Sequence, residues 1–125
     1  LSQETPIFIF ISDFAWFVEM VYRSEFDMRG FLENIIEKGR LHNIYFIASM
    51  KLDQALDVNH QELYQLFTGH KTGIHFGGNV AENRIYNFDS VPYQLQSEIL
   101  KPGIGYTAGV MSSDVQQIVV PLARR

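Results

Sequence analysis

Ser12 and Asp13 close the run Ile7-Phe8-Ile9-Phe10-Ile11, a stretch of large apolar residues ending in a hydroxyl and a carboxylate. A run that is β-branched or aromatic at every position suits a strand buried on both faces, as in a parallel sheet covered by helices. Pro6 precedes it, where a missing N–H matters least. Open α/β sheets bind ligands beyond the carboxyl ends of their strands. A carboxylate delivered there is a hard ligand for Mg²⁺ and a base for an attacking water. The same pair has a plainer use, because Ser-Asp can cap a helical turn starting at Phe14. The residues alone leave both uses open.

Other chemistry is less well supported. The four histidines are His42, His60, His70 and His75. No pair has the i,i+4 spacing that puts two imidazoles on one helical face, and no H-E-x-x-H occurs, so a metal centre is not expected. A Ser-His-Asp nucleophile is not expected either, since no G-x-S-x-G elbow is present. The segment Phe14-Ala-Trp-Phe-Val-Glu-Met-Val-Tyr22 is unusually apolar for a segment after a strand. Core packing is the default for it. If Trp16, Phe17 and Met20 lie exposed instead, they form the kind of patch that marks a partner site.

The elements that must position these groups obey an α/β grammar. A helix starting near Ser24 or Asp27 carries Met28, Phe31, Leu32, Ile35 and Ile36 as its apolar stripe and stops at Gly39. Ile44–Ala48 reads as a second buried strand, giving a βαβ unit. A helix over 60–68 comes next, with Asn59 and Glu62 as a capping-box start and Leu63, Leu66 and Phe67 facing inward. Thr72–Phe76 reads as a third strand and 79–86 as a short helix. Another helix starts at Ser90-Val-Pro92, with Leu95, Ile99 and Leu100 inward. The turn Lys-Pro-Gly-Ile-Gly-Tyr leads into a strand over 104–110. A turn at 111–114 and a strand over 115–122 complete a C-terminal hairpin. The expectation is one domain over 1–125 with a mixed sheet.

Bulk composition narrows the class. The chain has 125 residues, an apolar content of 46% and no cysteine, which suits a packed core without disulfides or thiolate ligands. A formal net charge of −4 with scattered basic residues argues against a general grip on nucleic acid. No stretch reaches the roughly 18 apolar residues of a membrane span. The chain begins without methionine and shows no signal peptide, so a piece of a longer protein is expected.

Order and spacing of several motifs resemble one family. Ile7–Phe17 is similar to the Walker B segment of FtsK/SpoIIIE-type ATPases, where an apolar run ends in Asp-Glu followed by Phe-Ala. Gly39-Arg40 and Ile44–Ser49 resemble the family's next helix end and strand. The stretch from Thr72 to Tyr106 resembles its later strand, helix and Gly-rich turn. The likeness is strongest to the last ATPase module of EssC-type proteins, the membrane-anchored motors of type VII secretion. It implies a partial RecA-like P-loop NTPase core lacking the Walker A half, with a mostly parallel sheet flanked by helices and a C-terminal β-hairpin. ATP and Mg²⁺ are the cofactors of such proteins. Ser12, Asp13 and Ser49 would face the nucleotide, with Asp13 at the catalytic position and holding Mg²⁺; Arg40 has a plainer use in meeting the last carbonyls of the helix before it, and the resemblance offers it as an arginine finger toward a neighbouring subunit.

Departures from the pattern imply degeneracy. Ser12 replaces a carboxylate with a neutral hydroxyl, Met50 stands where a glutamine could sense phosphate, and no G-x-x-x-x-G-K-[ST] occurs. This segment alone is therefore expected to hold ATP weakly and to be inactive, inside a parent that is an ATP-dependent translocase. The resemblance implies a structural, regulatory or substrate-binding module in a cytoplasmic domain of a cell-membrane protein. Its partners would be other ATPase modules of the chain or ring and secreted WXG100-type helical substrates, docking near Trp16, Phe17 and Met20, with no nucleic acid and no direct membrane contact. The alternatives are an active DNA- or protein-translocating ATPase once joined to a Walker A half, and a pure binding module.

Overall fold

The computed structural model describes residues 3–109, 115–121 and 123. The chain is mixed α/β and divides into two compact units, Leu1–Gly69 and His70–Arg125. The first holds a two-stranded parallel sheet and the second a three-stranded antiparallel sheet.

In the first unit β1 (Ile7–Ile11) leads into α1 (Phe14–Arg23) and α2 (Arg29–Lys38), a 3-10 turn (Gly39–His42) and β2 (Ile44–Ala48). β2 lies parallel to β1 with Ile7 opposite Ile44 and Ile11 opposite Ala48, so the βαβ reading of this segment holds. Asn43, left-handed at φ 57°, turns the chain into β2, a conformation asparagine tolerates better than most residues. α3 (Ala55–Val58) and α4 (Glu62–Thr68) complete the unit. Phe14, Ala15 and Val18 of α1 meet Ile36 of α2, Ala55 and Val58 of α3, and Leu63 and Tyr64 of α4. The Phe14 ring lies 4.5 Å from that of Phe67 and 6.2 Å from those of Phe17 and Tyr64. Tyr22 ties three helices together: its hydroxyl accepts from Leu63 N–H at 3.2 Å and donates to Glu33 at 3.3 Å.

β1 is not buried on both faces. The core reaches Ile11, Phe46 and Ala48. The opposite face, made by Phe8, Phe10, Tyr45 and Ile47, is 56, 73, 38 and 49% exposed, and Phe8 stacks on Tyr45 at 5.4 Å. The edge is open too. Ile7 N–H donates to Asn43 O at 2.8 Å and Ser49 N–H to Ile11 O at 2.9 Å. In a parallel pair both backbone groups of a residue point the same way. Odd-numbered residues of β1 therefore face β2, and Phe8 and Phe10 offer their N–H and C=O to the outer edge. Among the described residues no strand pairs there.

In the second unit β3 (Gly73–Phe76) pairs antiparallel with β4 (Ile104–Ala108), and β4 with β5 (Gln116–Val119), which includes the expected hairpin. β3 does not join β1 and β2, so the sheet is not the mostly parallel one expected. Ile74 and Phe76 point out while His75 points in, so one face of β3 is covered. Val80, Phe88, Val91, Tyr106 and Ala108 form the unit's core. Gly105 admits no side chain, because a Cβ would lie 2.6 Å from His75 O and 2.7 Å from the Phe76 ring that lies across it.

Several expected details change. Neither Ser24 nor Asp27 caps α2; its N-cap is Met28, without a side-chain hydrogen bond, and Ser24 instead accepts from Phe26 N–H at 3.1 Å. The N-cap of α4 is Gln61, not Asn59. The short helix expected over 79–86 is a 3-10 turn, Val80–Glu82. The helix after Pro92 is the single turn α5 (Tyr93–Gln96), and Ile99, expected inward, is 80% exposed. The turn at 111–114 and the strand ends at Val110 and Leu122 lie outside the described residues.

Candidate functional site

The parallel pair gathers Ser12, Asp13 and Ser49 at its carboxyl end, where β1 and β2 both stop. The arrangement is bonded internally. Ser49 Oγ donates to Ser12 O at 2.7 Å, and Phe14 N–H donates to Ser49 O at 2.9 Å. Asp13 is the N-cap of α1, its Oδ1 accepting from Trp16 N–H at 3.0 Å. That bond satisfies one of the amides a helix start leaves without a partner, and it places the carboxylate on its own helix. Met50 packs against the core.

The other predicted residues lie elsewhere. Arg40 sits in the exposed 3-10 turn before β2, and its carbonyl accepts from Asn43 N–H at 3.3 Å. It is at the amino end of the strand whose carboxyl end carries Ser49, so it is about 15–17 Å away along a five-residue strand. Trp16 and Met20, spaced i,i+4 on α1, are 57 and 43% exposed, whereas Phe17 is half-buried against the core. Trp16 and Met20 thus form an outward apolar pair that Phe17 does not share. No group of three or more metal-ligating side chains comes together among the described residues. No helix among them is long and apolar enough to cross a membrane.

A separate cleft of about 610 Å³ opens in the second unit, lined in part by Lys71, Arg84, Tyr86, Phe88, Asp89 and Gln96. None of the predicted site residues lines it. Beside it, His75 is 7% exposed and held at both ring nitrogens, with Nε2 2.8 Å from Gly77 O and Nδ1 3.0 Å from Asn83 Nδ2. Burial pushes its pKa below the ordinary 6.5, against the opposing pull of the Gly77 carbonyl and the Glu82 carboxylate. Burial also raises the Tyr86 phenol above its ordinary value. Histidine spacing gave no reason to select His75. The available signal was its inward place in an alternating strand just before Gly77-Gly78-Asn79.

Comparison with protein-family models, with curated proteins and with solved structures finds no match to this chain.

Proposed function

We propose that this chain is a degenerate ATPase-derived module, the back half of a RecA-like unit of the kind found at the C-terminus of type VII secretion motors, and that it acts by docking rather than by hydrolysis. The observation that carries the reading is Asp13. It stands at the carboxyl end of a parallel strand, where such a module would hold Mg²⁺, but it accepts from Trp16 N–H at 3.0 Å as a helix cap, with a neutral Ser12 beside it. The open face of Phe8, Phe10, Tyr45 and Ile47 supports the docking half of the reading, because parallel sheets are ordinarily covered on both sides. In this role the face meets neighbouring ATPase modules of a membrane-anchored parent, on its cytoplasmic side, and Trp16 with Met20 offers a foothold for a helical WXG100-type substrate.

A second reading is favoured by the place of Asp13 itself. Joined to a Walker A half, the same strand end belongs to a working ATP- and Mg²⁺-dependent translocase, with Arg40 reaching a neighbour's nucleotide. Asp13→Asn separates the two, because asparagine caps a helix as well as aspartate but brings no charge to Mg²⁺. Mg-ATP titrations of this chain and of its parent, each with and without Asp13→Asn, are the test. The docking reading expects no Asp13-dependent binding at millimolar ATP. Saturable binding that Asp13→Asn weakens tenfold or more, with stability unchanged, overturns it.

A further inference from the structure

The geometry points to an acid-released clasp in the second unit: His75, in its neutral form, pins the 77–86 connection to β3, and protonation of the ring unfastens it and loosens one wall of the 610 Å³ cleft. The clasp lies away from Asp13 and stands whether or not the ATPase ancestry does.

The protonation state is set by hydrogen-bond accounting. Asn83 Oδ1 accepts from Ile85 N–H at 2.8 Å and from Tyr86 N–H at 3.2 Å. With its oxygen committed to two backbone amides, the side chain turns its NH₂ toward His75 Nδ1, 3.0 Å away. Nδ1 must then accept, so the one ring proton sits on Nε2 and donates to Gly77 O at 2.8 Å. A second proton has only Nδ1 to go to, and there it would meet the N–H of Asn83 head-on. Flipping the amide does not help, because it turns NH₂ onto the amides of Ile85 and Tyr86.

The ring has little room to escape. Phe88 meets it edge-on at 5.8 Å, Tyr106 is its cross-strand partner on β4, and Tyr86 and Tyr106 both pack on Phe88. Among the described residues Glu82 is the charged group acting on the ring, and its carboxylate favours protonation without outweighing burial. The segment that the clasp holds follows β3 directly. It starts with Gly77 and Gly78, both at positive φ (67° and 50°), where glycine carries no steric penalty. It then supplies Val80, Ala81, Asn83, Arg84, Ile85 and Tyr86 to the cleft wall.

The direction of the pH effect is fixed by the ring. Once the clasp opens, His75 titrates at its ordinary 6.5, whereas in the closed form it holds a proton less readily. As pH falls through 6.5 the open form takes up a proton that the closed form refuses, so closure is fully favoured above that value and weakens below it until the closed ring itself titrates.

The test is an NMR titration of the whole chain. At neutral pH ring ¹⁵N shifts should show the Nε2–H tautomer. Below pH 6.5 the exchange protection of the Ile85 and Tyr86 amides should fall about tenfold per pH unit. Asn83→Asp keeps one oxygen for those two amides and turns a second toward Nδ1. It should raise the titration of His75 above that in the unsubstituted chain and remove the acid sensitivity. An Nδ1–H tautomer, protection that stays flat through the titration of His75, or an Asn83→Asp chain that opens in acid as the unsubstituted one does would each overturn the clasp.

Discussion

The two sheets treat hydrophobic strands in opposite ways. β3 and β4 alternate, turning His75, Tyr106 and Ala108 inward against Val80, Phe88 and Val91 and leaving Ile74 and Phe76 outside. β1 is apolar at every position, yet its helices cover only the end at Ile11. An antiparallel hairpin sheet is satisfied by one covered face. A parallel pair is not, and this one keeps an aromatic face and a strand edge turned outward. The antiparallel unit also leaves Ile74, Phe76 and Val119 outside, but it packs one face on a core along β3 and β4, whereas β1 is covered only at Ile11.

Substitutions can break or sharpen that contrast. The largest effect is expected where the first unit does close on itself. Phe14→Ala should cost about 3–5 kcal/mol and Leu63→Ala about 2–5 kcal/mol in urea unfolding, since both side chains are essentially inaccessible. Phe10→Ser, on the open face, should cost no more than about 0.5 kcal/mol, as ordinary surface changes do. A large loss there would mean that β1 is already covered. In the second unit Gly105→Ala forces a methyl against His75 O and should cost about 1–3 kcal/mol, as overpacking does. A smaller effect than in the core is expected at the helix cap. Asp13→Ala should lower stability by about 1 kcal/mol and Asp13→Asn by almost nothing, readable as a shift in the urea midpoint.

Much of the local grammar was legible in the sequence. The βαβ segment could be read because Ile7–Ile11 and Ile44–Ala48 are strand-like runs around a helical stripe, and the hairpin because a glycine turn precedes two short strand patterns. Asp13 was legible as a cap as well as a ligand, and the helix start shows the first use through a single bond to Trp16. Which faces end up covered was not legible. A doubly apolar strand announces that it tolerates burial on both sides, not that this chain supplies both covers. Met28 and Phe31, read as part of an inward stripe, are 49 and 60% exposed, and α2 starts only at Arg29, after Met28. The His75–Asn83 clasp was invisible because it depends on which way an amide turns, and two backbone N–H groups from a loop decide that.

Residue-resolved hydrogen exchange along β1 tests the central claim most directly. If the parallel sheet ends at β1, the amides of Ile9 and Ile11, which face β2, should be protected, while those of Phe8 and Phe10 should exchange almost as fast as in an unstructured chain. Equal, strong protection of all four would mean that another strand already lies along that edge, and the account of an open, docking sheet would be contradicted.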